Sequence, residues 1–215
     1  RRPDDVLALR ALAPRFTART RKGTASNSKG LPMAESEIRL LETLSSLFTR
    51  AEAMLGPFSV DDDPAWPSPC LQGTAGPGRC YWKPVRQQPR PEAPLAGLGA
   101  TLNPPVPASL DAFYGSFFSD PITVPSPWGA LSLTLPWSAE EWPRLLENQL
   151  GHCLQQQRFK LEPAPFIAVL EGDEDGVISL RLQDAAVILE WPGRRDRRVL
   201  ADTLEAFIGQ LLDAL

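Results

Sequence analysis

Proline, more than any other residue type, limits what this chain can become. It occurs 23 times in 215 residues, and 17 of those positions lie between Pro57 and Pro143. Proline has no backbone N–H and a fixed φ, so it interrupts helix interiors and central strands. The middle third is therefore expected to be loop-rich, with the longer regular elements on either side of it.

Periodicity supplies those elements. From Glu35 to Leu55, apolar residues recur every three or four positions (Ile38, Leu41, Leu44, Phe48, Ala51, Leu55), which predicts an amphipathic helix ended by Gly56-Pro57. Within the proline-rich stretch, short strands are expected around Cys80–Trp82 and Leu98–Leu102. Leu110, Phe113, Tyr114 and Phe117 have helical spacing, and Ala130–Leu135 alternates as a half-buried strand. Ser138 and Glu141 have capping-box spacing at the start of a long helix, although Pro143 would then lie slightly too deep. Its buried face is predicted to be Trp142, Leu145, Leu146, Leu150, Cys153 and Leu154. Phe166–Glu171 and Val177–Leu182 flank a glycine- and acid-containing loop as a hairpin, and Val187–Trp191 adds a third strand. Leu200, Leu204, Phe207, Ile208, Leu211 and Leu215 mark a closing helix. This order indicates an α+β fold: a central, mostly antiparallel sheet with helices packed around it and proline-rich loops.

Charge divides the chain at Met33. Residues 1–32 carry eight basic side chains against two acidic ones, a net of +6, so the remaining 183 residues of a chain with total charge −4 hold −10. The first 32 residues are expected to be a basic, disordered extension foreign to the domain formed by residues 33–215; their Arg-rich, acid-poor composition is also that of a transit peptide. The pI near 5.2 argues against nucleic acid as a partner, because phosphate binding needs a basic face. No aliphatic stretch approaches the ~20 residues of a membrane helix.

Residue types restrict the chemistry further. With one histidine, His152, metal sites that need two are excluded. Cys70, Cys80 and Cys153 are too few for a disulfide framework and favour a reducing setting, although Cys70 and Cys80 lie close enough in sequence to meet in space. The chain has no phosphate-binding glycine loop, dinucleotide fingerprint or nucleophile elbow. His152 and Cys153 are adjacent on a helix and point about 100° apart, so they do not form a catalytic pair. No catalytic residue, cofactor or metal ligand is expected.

What remains is carboxylate. Asp61, Asp62 and Asp63 form one cluster, and Asp173, Glu174 and Asp175 form another; neither has the spacing of a calcium loop. Together with Glu140, Glu141 and Glu171 they are the candidate contact surface for a basic partner, drawn in by charge complementarity. Trp128 and Trp137, like Trp66 and Trp82, lie in or beside proline-rich loops. There a large ring either anchors an interface or pins its own loop to the core.

Several strings resemble the Syd family of SecY-interacting proteins, in the SUKH superfamily. They are Trp66-Pro-Ser-Pro-Cys70, Tyr81-Trp-Lys-Pro84, Ala112-Phe-Tyr-Gly-Ser-Phe-Phe118, Trp137-Ser-Ala-Glu-Glu-Trp142, and Glu147-Asn-Gln-Leu-Gly-His152 continuing through Gln157–Leu161 to Phe166–Glu171. With the closing helix, the resemblance spans Met33 to Leu215. It implies a SUKH-like domain without enzymatic activity, a monomer held at the cytoplasmic side of the bacterial inner membrane through SecY. Such a protein would bind basic cytosolic loops of SecY on an acidic concave surface and act as a negative regulator or quality-control factor of the translocase. The wider superfamily suggests an alternative, an immunity protein that neutralises a toxin. A third hypothesis, an enzyme using paired acids, requires carboxylates converging in a deep pocket. Two features depart from the resemblance: the proline richness of residues 57–107, and the run Arg194-Arg-Asp-Arg-Arg198, which belongs on a face other than an acidic one, near anionic headgroups.

Overall fold

The fold is taken from a computed structural model that describes residues 35–91, 93–102, 105–172 and 176–215. The predicted basic extension, and the acidic trio Asp173, Glu174 and Asp175, lie outside the described residues.

The first helix, α1, spans Glu35–Leu55, as its periodicity predicts, and buries Leu40, Leu41, Leu44, Leu47, Phe48 and Ala51. The proline-rich region that follows is less loop-like than its composition implies. It forms a small antiparallel sheet of β1 (Ser59–Asp61), β2 (Leu71–Gly76) and β3 (Arg79–Trp82), with β3 in the middle. Its prolines lie in the connections and just beyond the strand ends, where no ladder N–H is lost. Next come β4 (Val85–Arg86), the short helix α2 (Ala96–Gly99) and α3 (Ala108–Tyr114). The expected strand at Leu98–Leu102 is thus corrected to a helical turn, in which Leu98 and Leu102 fall on one buried side four residues apart. Helix α3 stops at Gly115, and Phe117 belongs to β5 (Phe117–Phe118), which pairs with β4.

The main sheet is a six-stranded antiparallel meander. Its strands are β6 (Thr123–Val124), β7 (Leu131–Leu133), β8 (Phe166–Leu170), β9 (Val177–Leu180), β10 (Val187–Glu190) and β11 (Arg197–Ala201), each paired with the next in the chain. The sequence assigns Leu200 to the closing helix; it lies in β11 instead, and α5 (Leu204–Ala214) begins after a Thr203 cap whose hydroxyl accepts the Ala206 N–H at 3.1 Å. Register places Ile178 opposite Leu189 and Leu180 opposite Val187 on one face. These four join Leu44, Phe113, Phe207, Ile208 and Leu211 in the apolar core, where α1 packs against α3 and α5. Gly176 permits the β8–β9 turn to close: a Cβ there would lie 3.1 Å from Leu170 Cβ and 3.2 Å from Leu189 Cδ1.

The other face of the sheet meets α4 (Trp142–Arg158) in an unexpected way. The predicted inward face was leucine-rich, but Leu145, Leu146 and Leu150 are only partly buried and Leu154 is exposed. The buried positions are Gln149, His152, Cys153 and Gln156, an i, i+3, i+4, i+7 stripe that is mostly polar. The reason lies in the incoming segment Pro163-Ala-Pro-Phe166, whose backbone is buried without a neighbouring strand to satisfy all of it. Gln156 Oε1 accepts the Ala164 N–H at 2.8 Å while its Nε2 donates to the Ala164 carbonyl at 3.0 Å. Gln149 repeats the clamp on Phe166, at 2.9 and 2.8 Å, and also donates to the Tyr114 hydroxyl at 2.6 Å. Each amide substitutes for a strand partner, which an aliphatic side chain there could not do.

Candidate functional site

The carboxylates gather where the small sheet meets the N-terminal end of α4. Strand β1 delivers Asp61, whose Oδ1 pairs with Arg79 Nη1 at 3.0 Å across the ladder to β3. The chain then turns: the Asp62 N–H donates to the Gly78 carbonyl at 2.9 Å, and Asp63 Oδ1 accepts the Ala65 N–H at 2.9 Å as an Asx turn does. The turn carries Trp66 to the surface, where its ring is 46% exposed with the Arg144 guanidinium 6.0 Å from its centroid.

Trp137 holds this loop to the start of α4. Its indole N–H donates to the Trp66 carbonyl at 3.2 Å, its own carbonyl accepts from Ser68 Oγ at 2.5 Å, and its backbone N–H donates to Glu141 Oε2 at 2.7 Å. At 6% exposure it is a buried hub, which corrects the expectation that it contacts a partner directly. The predicted cap also changes form. Ser138 makes no capping hydrogen bond; residues Ala139–Glu141 form a 3₁₀ turn that lets Pro143 sit in the first turn of α4, where its missing N–H costs nothing. Glu140, exposed on this turn, is held below the usual carboxylate range by hydrogen bonds from the Ser138 hydroxyl and from its own backbone N–H.

A further acid, absent from the candidates that the sequence offers, lies beside Glu141. Asp120 is partly buried beside Glu141, positioned by the Ser119 N–H donating to the Pro136 carbonyl at 3.0 Å. Burial, reinforced by the Glu141 charge, pushes its carboxyl up to about 6. The acidic loop Asp61–Trp66 is thus tied through Trp137 to Glu141 and, beside it, to Asp120, which makes an acidic end drawn from three segments.

The Asp120 environment has a measurable consequence. The folded protein holds this proton more tightly than the unfolded chain, where an aspartate titrates near pH ~3.9. Asp120 therefore opposes folding increasingly as pH rises from about 4 to about 6. Asp120→Asn should stabilise the protein by about 1–2 kcal/mol at pH 7, allowing for partial solvent access, and should remove this part of the pH dependence. Urea denaturation at pH 4, 6 and 7 checks it; equal or lower stability of the variant at pH 7 refutes it.

Glu171 and Trp128 belong to another place. Glu171 is exposed, its N–H donates to the Ala130 carbonyl at 2.8 Å, and its Oε1 accepts from Ser132 Oγ at 2.6 Å. Trp128 is half-buried and stacks on Phe207 of α5 with centroids 5.7 Å apart. Both lie near the start of β7, whereas Trp137 and the acidic end follow its far end. Trp82 is buried between Phe58 and Trp137, so it pins the small sheet rather than facing outward.

The only histidine, excluded by helix geometry as a catalytic partner of Cys153, sits in a second cluster of ionisable groups. Glu190, 4% exposed at the end of β10, accepts from Gln156 Nε2 at 2.6 Å and from Arg197 Nε at 2.9 Å, and its Oε1 lies 3.0 Å from His152 Nε2. The Ser179 hydroxyl is 3.3 Å from the same imidazole nitrogen. The sequence signal was a glutamate closing the apolar run Val187–Glu190, in a strand buried on both faces. Cys70, Cys80 and Cys153 are free thiols, and burial pushes Cys153 up to about 12, so it stays protonated. Among the described residues, no three His, Cys, Asp or Glu side chains converge as a metal site requires, and no helix is long and apolar enough to cross a membrane.

A family described as Syd protein (SUKH-2) matches residues 39–212. A Protein Syd of Photorhabdus laumondii subsp. laumondii is 38% identical over 146 residues, covering 67% of this chain and 77% of the relative. One from Cronobacter sakazakii is 37% identical over 144 residues, with coverage of 67% and 77%. One from Shewanella denitrificans is 36% identical over 149 residues, and there the match spans 67% of this chain and 66% of the relative's length.

Proposed function

Because the chain belongs to the Syd protein (SUKH-2) family, we propose that it is a SecY-binding protein that receives basic cytosolic loops of SecY on the acidic end built around Trp137. The reading extends to its consequence: a monomer held peripherally at the cytoplasmic face of the inner membrane through SecY, restraining or quality-controlling the translocase without enzymatic chemistry. The observation that carries it is the linkage through Trp137 of the acidic Asp61–Trp66 loop to Glu141, which in turn lies beside the partly buried Asp120. Only Asp61 among these is tied to a cation, Arg79, by a salt bridge among the described residues. Asp120, partly buried beside the Glu141 charge and pushed up to about 6, opposes folding, and such groups concentrate where charge serves binding. Trp66 supplies an exposed aromatic beside them.

The test is binding of the full chain to detergent-solubilised SecY complex. Asp62→Lys with Glu140→Lys reverses two charges of the cluster that face solvent. Affinity should fall at least about tenfold, mostly through the association rate, and wild-type binding should weaken as salt rises from about 50 to about 300 mM. Glu42→Lys with Asp213→Lys, exposed positions on α1 and α5, makes the same change in net charge and should bind as wild type. Equal loss in both variants would reduce the effect to net charge. Unchanged binding by the first would move the interface elsewhere, with a charge-reversed Asp173-Glu174-Asp175 loop as the next variant to measure. Failure of the wild type to bind SecY at all would overturn the reading.

A further inference from the structure

Helix α4 separates two surfaces of opposite charge. Its 17 residues give it a length of about 25 Å. The acidic end lies at its N-terminus. At its C-terminus the chain turns through Arg158, Phe159 and Lys160, all three exposed.

Phe159 there shares one depression with Trp191 and Arg194, which come from the turn between β10 and β11. Arg194 and Arg195 are exposed beside it. The ring of Phe159 is 37% exposed, Trp191 is half-buried, and the Trp191 indole N–H has no hydrogen-bond partner among the described residues. Val199, opposite Ile188 in the β10–β11 ladder, adds further exposed apolar surface on the α4 side of the sheet. Arg197 does not contribute free charge, because Glu190 takes its guanidinium inward at 2.9 Å. Asp196 is an exposed acid within the run, and Glu162 is an exposed acid following Lys160. Four exposed cations, Arg158, Lys160, Arg194 and Arg195, still outnumber them.

From this juxtaposition we propose that the C-terminal end of α4 and the β10–β11 turn form a docking face for an anionic phospholipid membrane surface. The basic side chains would meet headgroup phosphates while Phe159 and Trp191 enter the interfacial layer. Aromatic rings interleaved with Arg and Lys are the composition of interfacial contacts, since a ring with an apolar body and long cationic side chains can each span the boundary between water and hydrocarbon. A nucleic-acid partner fits less well, because the face is small and the 183 residues from Met33 carry −10, which repels an extended polyanion. A membrane needs only a local cationic footprint, at a gain of roughly fivefold in binding per basic residue near the surface. With the two charged ends about 25 Å apart along α4, a lipid surface and a basic protein segment can be engaged together.

The proposal does not depend on SecY, so the experiment uses protein-free vesicles and the full chain. Co-sedimentation is compared on vesicles of phosphatidylcholine alone and of phosphatidylcholine with about one third phosphatidylglycerol. The wild type should bind the anionic vesicles at least about tenfold more tightly, and lose this preference between about 50 and about 300 mM salt. Arg194→Glu with Arg195→Glu should reduce the binding at least about tenfold with no change in melting temperature. Phe159→Ser should weaken it several-fold at constant charge. Because residues 1–32 carry +6, Arg15→Glu with Arg19→Glu and Arg21→Glu is measured alongside. If that variant abolishes binding and the Arg194/Arg195 variant does not, the proposal is wrong. It is equally overturned if neutral and anionic vesicles bind alike, or if an RNA duplex binds this face more tightly than the vesicles do.

Discussion

Glu190→Ala should lower folding stability by about 3–5 kcal/mol. The carboxylate is surrounded by His152, Gln156, Ser179 and Arg197, with both of its oxygens engaged. Truncation leaves an arginine that is largely buried and a buried histidine and amide facing a void, so the cost is that of uncompensated polar groups rather than of one ion pair. Burial alone would raise the Glu190 carboxyl, but hydrogen bonding and charge from His152, with Ser179 and Arg197, bring it below the ordinary glutamate range. A depressed folded-state value means a stabilising contribution that is present above the unfolded glutamate pKa and lost as pH falls through the folded one. Glu190→Gln, which keeps the shape and removes the charge, should therefore lose stability at pH 7 and show a shallower decline on acidification. Urea unfolding at neutral and acidic pH reads both effects. A loss below about 1 kcal/mol for Glu190→Ala would mean that solvent fills the site and the cluster contributes little.

Trp82→Ala should cost about 3–5 kcal/mol as well, for a different reason. Its ring stacks on Phe58 at 4.9 Å and meets Trp137 edge-on at 5.8 Å, joining the small sheet to the start of α4. An alanine methyl does not span that gap, so a cavity opens between the two units. The acidic end depends on the same joint, because Trp137 also binds the Trp66 carbonyl and Glu141. In conditions where the variant remains folded, SecY binding should fall although no acidic residue has changed. Trp82→Phe should restore most of both properties. Stability loss with undiminished binding would show that the Asp61–Trp66 loop holds its place without Trp137.

The elements with a clean period were legible in the sequence. Helix α1, the β8–β9 hairpin and β10 follow from apolar spacing and turn residues, because α1 buries one periodic face against the core while β9 and β10 are apolar runs buried on both faces. Legibility failed where polar groups face inward. Gln149 and Gln156 lie outside the apolar face that periodicity selects, and they are buried because the backbone of Ala164 and Phe166 supplies their partners. The proline-rich region was legible in part: the strand expected around Cys80–Trp82 is β3, whereas β1 and β2 went unread, because proline count is a property of the connections and not of the strands between them. Within the candidate site, Asp61–Asp63 and Glu140–Glu141 were visible as charge, whereas Asp120 became visible only through its neighbours.

By itself, the sequence determined the α+β class, the separation of +6 from −10 at Met33, the family resemblance and the absence of any nucleotide-binding or nucleophile-elbow motif. These depend on composition, local period and ordered motifs, which are properties of the chain as a string. The tertiary structure alone decided which acids share a surface, that Trp137 is a hub and not an anchor, and that Phe159, Trp191 and Arg194 line one depression. Those facts depend on contacts between residues dozens of positions apart. Charge is encoded residue by residue, but a charged surface exists only once burial has selected which of those residues meet the solvent together.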